Sequence, residues 1–187
     1  MKQLSSVKKS ILTALCIALC VVLPLAFHAV PDGGTIYSPM HLPVLLCGLV
    51  CGWPFGLLCG VAGPLLSSLL TQMPPAAYLP AMLVELAAYG VLSGLLMQWV
   101  HTGKRTADLY ISLRGAMVGG RLLAGAAKAL FFAAGSYSLS AWAAAYFVVS
   151  LPGMILQLIL LPMLYTALEK SALIPPRYAK RQNIGKA

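Results

Sequence analysis

The sequence predicts an all-α membrane protein: six transmembrane helices in one bundle, the second of them short, with both termini cytoplasmic. Three observations carry that prediction. Hydrophobic residues make up 60% of the 187 and charged residues only 9%, against about 25% charged in a soluble domain. Five apolar runs are long enough, at about 1.5 Å of rise per residue, to approach or exceed the hydrocarbon thickness of a bilayer. Eleven of the thirteen basic residues fall in three places: before the first run, between the third and fourth long runs, and after the last. Positive segments stay cytoplasmic, so the net charge of +9 orients the chain in a membrane and calls for no nucleic acid. At this length a single integral domain over 1–187 is expected.

The first helix covers about 8–29, and Lys2, Lys8 and Lys9 precede its apolar run, which starts at Ile11. Basic residues before an apolar core also describe a signal peptide. Ala26-Phe27-His28 lacks a small residue at the last cleavage position, however, so the helix is expected to be retained.

The second helix, 41–52, is the anomaly. The stretch "SPMHLPVLLCGLVCGWPFG" at 38–56 begins polar and meets Gly52-Trp53-Pro54 after a short apolar run, where a span wants roughly 20 residues. Charge placement resolves it. The connections 30–40, 71–79 and 135–140 hold no Lys or Arg and are expected outside. The first helix exits at 30–40 and the helix at 80–100 re-enters from that side, so an even number of spans lies between. The short helix therefore goes inward, turns at Gly52–Gly56, and a third helix over 55–72 returns. Gly48, Gly52, Gly56 and Gly60, four apart, let the two arms approach closely.

The fourth helix is expected over 80–100, the fifth over 112–134 and the sixth over 141–169. Lys104, Arg105 and Arg114 mark the inner loop before the fifth. A basic cytoplasmic tail, 170–187, carries Lys170, Arg177, Lys180, Arg181 and Lys186.

Several function classes find no support. Cys16, Cys20, Cys47, Cys51 and Cys59 all lie in apolar runs, where cysteine behaves as a small hydrophobe, so neither a disulfide framework nor a metal site is expected. There is no phosphate-cradling Gly-Lys loop, no Gly-x-Ser-x-Gly and no pair of intramembrane carboxylates. His28, His41 and His101 are scattered over three segments. No enzymatic activity, cofactor or metal is expected.

The ionisable residues inside the apolar runs are more informative. Glu85 lies in the fourth helix, Arg121 and Lys128 in the fifth; such groups are costly in hydrocarbon and face a bundle interior or a water-filled cavity. Arg121, Gly125 and Lys128 share one helical face. Glu85 and Lys128 both lie on the order of 8–10 Å below the outer surface, placed to pair. Arg121 lies deeper, with no evident acidic partner. Two readings stand. In one, Glu85–Lys128 is a structural ion pair and Arg121 snorkels toward the cytoplasmic face. In the other, the loops 30–40 and 71–79 roof a polar pocket open to the outside. There Tyr37, His41, Glu85, Tyr89, Lys128, Trp142 and Tyr146 surround a small polar ligand, with Arg121 and Gln157 at its inner level.

The order and spacing of "SPMHLPVLLCGLVCG", "GAMVGGRLLAGAAKAL" and "LPGMILQLILLPML" resemble the substrate-binding S component of an energy-coupling-factor (ECF) vitamin transporter, over nearly the whole chain. The resemblance implies a subunit of the bacterial cytoplasmic membrane that captures a water-soluble vitamin or related micronutrient outside. It docks on a membrane-embedded coupling subunit, topples to release its cargo inside, and relies on two partner ATPases for energy. In "ALCIA", Ala14 and Ala18 are similar to the family's Ala-x-x-x-Ala docking motif, and small residues at that spacing allow close helix approach. Two basic groups in the fifth helix suit a carboxylate or phosphate. Pantothenate is the leading candidate; folate, niacin, riboflavin, cobalamin and a pyridoxine-type vitamin stay open. The alternative class is a small multi-span scaffold of cell-envelope assembly, which would need no buried basic residues.

Overall fold

A computed structural model describes residues 4–27, 31, 33–132 and 138–178. Among them all regular structure is helical: α1 (Ser6–Phe27), α2 (Gly33–Tyr37), α3 (His41–Cys51), α4 (Trp53–Thr71), α5 (Leu79–Trp99), α6 (Arg105–Ala127), α7 (Leu139–Ala143) and α8 (Leu151–Lys170). Two π-helical segments, Lys128–Phe132 and Ala144–Val149, follow α6 and α7. By length and apolar character α1, α4, α5 and α8 can each cross a bilayer. At 11 residues α3 is too short. Helix α6 is long enough at 23 residues, but Arg105, Asp108, Arg114 and Arg121 interrupt its apolar character.

Within the described residues the helices differ from the expected segments in three places. The connection 30–40 contains α2, too short to show a periodicity. The fifth helix starts at Arg105 rather than 112 and widens into a π turn at Lys128. The sixth segment is not one helix: α7 and a π segment precede a break at Ser150 (φ −86°, ψ 6°), and α8 restarts beyond it. Pro152 sits in that first turn, where its missing N–H is harmless. His28, Lys2, Lys180, Arg181 and Lys186 lie outside the described residues.

Helix α5 is the hub: α3, α4 and α6 all pack on it, while α1 packs on α3 and α4. The glycines explain the closeness, though not as the sequence suggests. A Cβ on Gly56 would run into the Gly90 backbone of α5, one on Gly60 into the Leu86 backbone, and one on Gly48 into Ser93 and Gly90. Gly48 and Gly56 do approach each other, but the main use of the series is to seat the α3–α4 hairpin on α5. Gly52 turns the chain between the two helices at φ +94°, a conformation only glycine adopts without strain.

Thr13, Cys16, Cys20 and Pro24 form the inward face of α1. Ala14 and Ala18 lie on its exposed face. All five cysteines are buried and free, in the seam where α1, α3 and α4 meet.

At the end of the bundle that holds the basic loops, the chain after α8 folds back onto the start of α6. Arg177 Nε donates to Asp108 Oδ2 at 2.5 Å, and so does the Tyr178 hydroxyl. The Thr102 N–H and hydroxyl reach Asp108 Oδ1 at 2.8 and 2.6 Å, and Arg177 also donates to the Val100 carbonyl. Burial alone would raise the Asp108 carboxyl. The donors from Thr102, Tyr178 and Arg177 outweigh it and hold the group well below the usual carboxylate range. Arg105 and Glu169 form a second ion pair nearby, at 2.8 Å.

Candidate ligand-binding cavity

At the opposite end of the bundle a cavity of about 810 Å³ opens beneath the two connections 30–40 and 71–79. The first contributes Gly33, Gly34 and Ser38, the second Met73 and Tyr78. Both connections therefore line the space. The volume lies within the range of small-molecule sites.

Five of the residues singled out in the sequence converge on this cavity: His41, Glu85, Arg121, Lys128 and Tyr146. His41 opens α3, and the close α3–α5 packing sets its ring against Glu85. His41 Nε2 lies 3.2 Å from Glu85 Oε1, with both side chains about nine-tenths buried or more. The expected Glu85–Lys128 pair is not formed. Lys128 stands at the end of α6, where the π turn begins, and lines the cavity without reaching Glu85. Among the described residues it makes no ion pair.

Arg121 does not snorkel to the cytoplasmic face. It is 2% exposed and points into the bundle. Its Nε donates to the Tyr89 hydroxyl at 2.9 Å, and Nη1 donates to the Tyr146 carbonyl and lies 2.7 Å from Met154 Sδ. The guanidinium also stands 5.6 Å from the Phe147 ring. It thus joins α5, the π segment before Ser150 and α8, and no carboxylate among the described residues neutralises it.

The family model described as "ECF transporter, substrate-specific component" matches residues 8–165. The chain belongs to that family. No curated protein and no solved structure matches it. The membership makes the chain a transport subunit of a multi-pass membrane system rather than an enzyme, working with ECF coupling and ATPase components.

In this ECF component the remaining candidates stand behind or beside the cavity. Tyr89 is buried beneath it, its ring edge-on to His41 at 4.9 Å. Gln157, 1% exposed, donates from Nε2 to the Ser38 carbonyl at 3.4 Å and ties α8 to the chain just ahead of α3. Tyr37 does not line the space; it stacks on Phe27 at 5.4 Å, and Phe27 does. Trp142 packs on Tyr146 and Phe147 and fills the space that Gly125 leaves open. Sequence reasoning missed the apolar walls, chiefly Met40, Met73 and Met82. Methionines in loops and helix ends carry no periodic signal that marks them as lining residues.

Proposed function

We propose that this chain is the substrate-binding subunit of an ECF importer in a bacterial cytoplasmic membrane, and that the cavity beneath the 30–40 and 71–79 connections is its binding site. The chain is read as a single integral domain that crosses six times. The short α3 counts as a span because α4 and α5 cover it, and both termini lie inside. The ligand is a water-soluble vitamin or related micronutrient with an anionic group. Pantothenate, which combines a carboxylate with neutral polar groups, is the leading candidate.

The observation that carries this reading is the pair Arg121 and Lys128, two cations that line the cavity with no carboxylate partner among the described residues. A buried cation without a counter-charge is costly, and an anionic ligand supplies one. The exposed face of α1 supports the other half of the proposal. Ala14 and Ala18 make no inward packing and offer a flat surface on which a coupling subunit can approach closely. ATP hydrolysis and its energy belong to the partners. Thermal-shift screening of the purified protein against water-soluble vitamins tests the binding function. A stabilising vitamin carrying an acid group is the expected result, and no stabilisation by any vitamin counts against the proposal.

A further inference from the structure

We infer that the ligand has two poles: an anionic group held at Lys128, and a hydroxyl, amide or amine hydrogen-bond donor held at Glu85, with an apolar segment between them. The inference rests on reading the cavity as the ligand site and adds what each wall recognises.

The anionic pole is assigned to Lys128 rather than Arg121 because the two cations are differently engaged. Arg121 already donates to Tyr89 and Tyr146, contacts Met154 and faces the Phe147 ring. Its job is positioning: it holds the π segment against α5 and α8. Lys128 is half-buried, lines the cavity, and makes no hydrogen bond or ion pair among the described residues. An ammonium has three donors and no acceptor, so an anionic group of a ligand is its matching partner.

The second pole follows from Glu85. Glu85 Oε1 accepts from His41 Nε2, whereas an ionised carboxylate accepts about four hydrogen bonds in all. Its ammonium neighbour across the cavity is beyond ion-pair distance, since the two make no contact within 4.0 Å. On the same wall, His41 Nδ1 is buried with no partner. This wall therefore offers acceptor capacity to a ligand donor. A dianion would meet repulsion at Glu85, and a simple cation would meet it at Lys128, so the two walls reject both. Met40 and Met82 lie on the elements that carry His41 and Glu85, and their adaptable thioethers suit a compact apolar group.

Matched ligands that differ at one pole test this directly. Calorimetric affinities are measured for pantothenate against panthenol, its alcohol counterpart. In the wild-type protein the bound acid is expected to be at least tenfold tighter than its neutral partner. Lys128→Gln should erase that preference while leaving the neutral ligand's affinity within about twofold, and Glu85→Gln should weaken both members of a pair alike. Equal affinities of acid and neutral partner in the wild type overturn the inference, without any variant needing to fold. So does a Lys128→Gln variant that loses both members equally. If the wild type binds neither compound nor any other vitamin, the cavity reading itself falls, and this inference with it.

Discussion

His41 Nε2 lies 3.2 Å from Glu85 Oε1, joining the first turn of α3 to the middle of α5 across 44 residues of sequence. Both groups are buried and both line the cavity. Removing one leaves the other without its partner in a low-dielectric wall, a penalty of about 1–3 kcal/mol for a buried polar group. His41→Ala and Glu85→Ala are therefore each expected to lower thermal stability and to weaken ligand binding more than tenfold. In the double variant the stability losses should sum to less than the two singles, because contacting partners are coupled. Strict additivity in a double-mutant cycle would show that the contact carries no energy.

Gly56 offers a sharper test of packing. A Cβ there would overlap the backbone of Gly90, which cannot yield as a flexible side chain does. Gly56→Ala should lower stability by more than the roughly 1–3 kcal/mol typical of overpacking, and Gly90→Ala should do the same from the other side. Gly34→Ala, where a Cβ meets nothing, is the control. Indistinguishable melting of Gly56→Ala and Gly34→Ala would contradict the close α4–α5 seam.

The fold was legible where physical chemistry acts locally. Apolar length placed the long helices, and Gly52-Trp53-Pro54 marked the turn between α3 and α4. Long-range relations were not legible. Nothing near Glu85 in sequence marks His41 as its partner, and equal depth below the outer surface pointed instead to Lys128, with which Glu85 forms no ion pair. The donors that hold Arg121 come from α5, the π segment and α8, so its inward aim depends on tertiary packing. The break at Ser150 was masked by a hydrophobic run that continues through it.

Asp108 predicts a pH dependence. Its carboxyl titrates below the usual range in the folded protein and at about 3.9 in an unfolded chain. Its stabilising contribution is therefore full above about pH 4 and is lost as pH falls through the lower folded value. Melting temperature should be insensitive to this group between pH 8 and 5, on the order of the neutral range, and should fall under more acidic conditions. Asp108→Asn leaves Arg177 buried without its counter-charge, which costs about 3–5 kcal/mol at neutral pH and should flatten the acid limb. An unchanged acid limb in the variant would assign the loss to other carboxylates.

The proposed topology predicts opposite accessibilities for two positions. On a cysteine-free background in intact cells, cysteine at Gly34 should react with a membrane-impermeant reagent added outside, and cysteine at Trp53 should not. Labelling of position 34 only after the cytoplasmic face is opened would reverse the orientation argued from the basic residues.

As proposed, the chain binds its ligand alone but transports only through a partner, and the exposed alanines of α1 separate the two. Ala14→Trp and Ala18→Trp place bulk where close helix approach is proposed, on the face directed away from the cavity and the core. Vitamin uptake by cells and vitamin binding by the purified protein should be measured side by side for both variants. Uptake should be abolished while affinity stays within about twofold of wild type, as expected of surface changes remote from the site. Normal uptake by both variants would contradict the proposal.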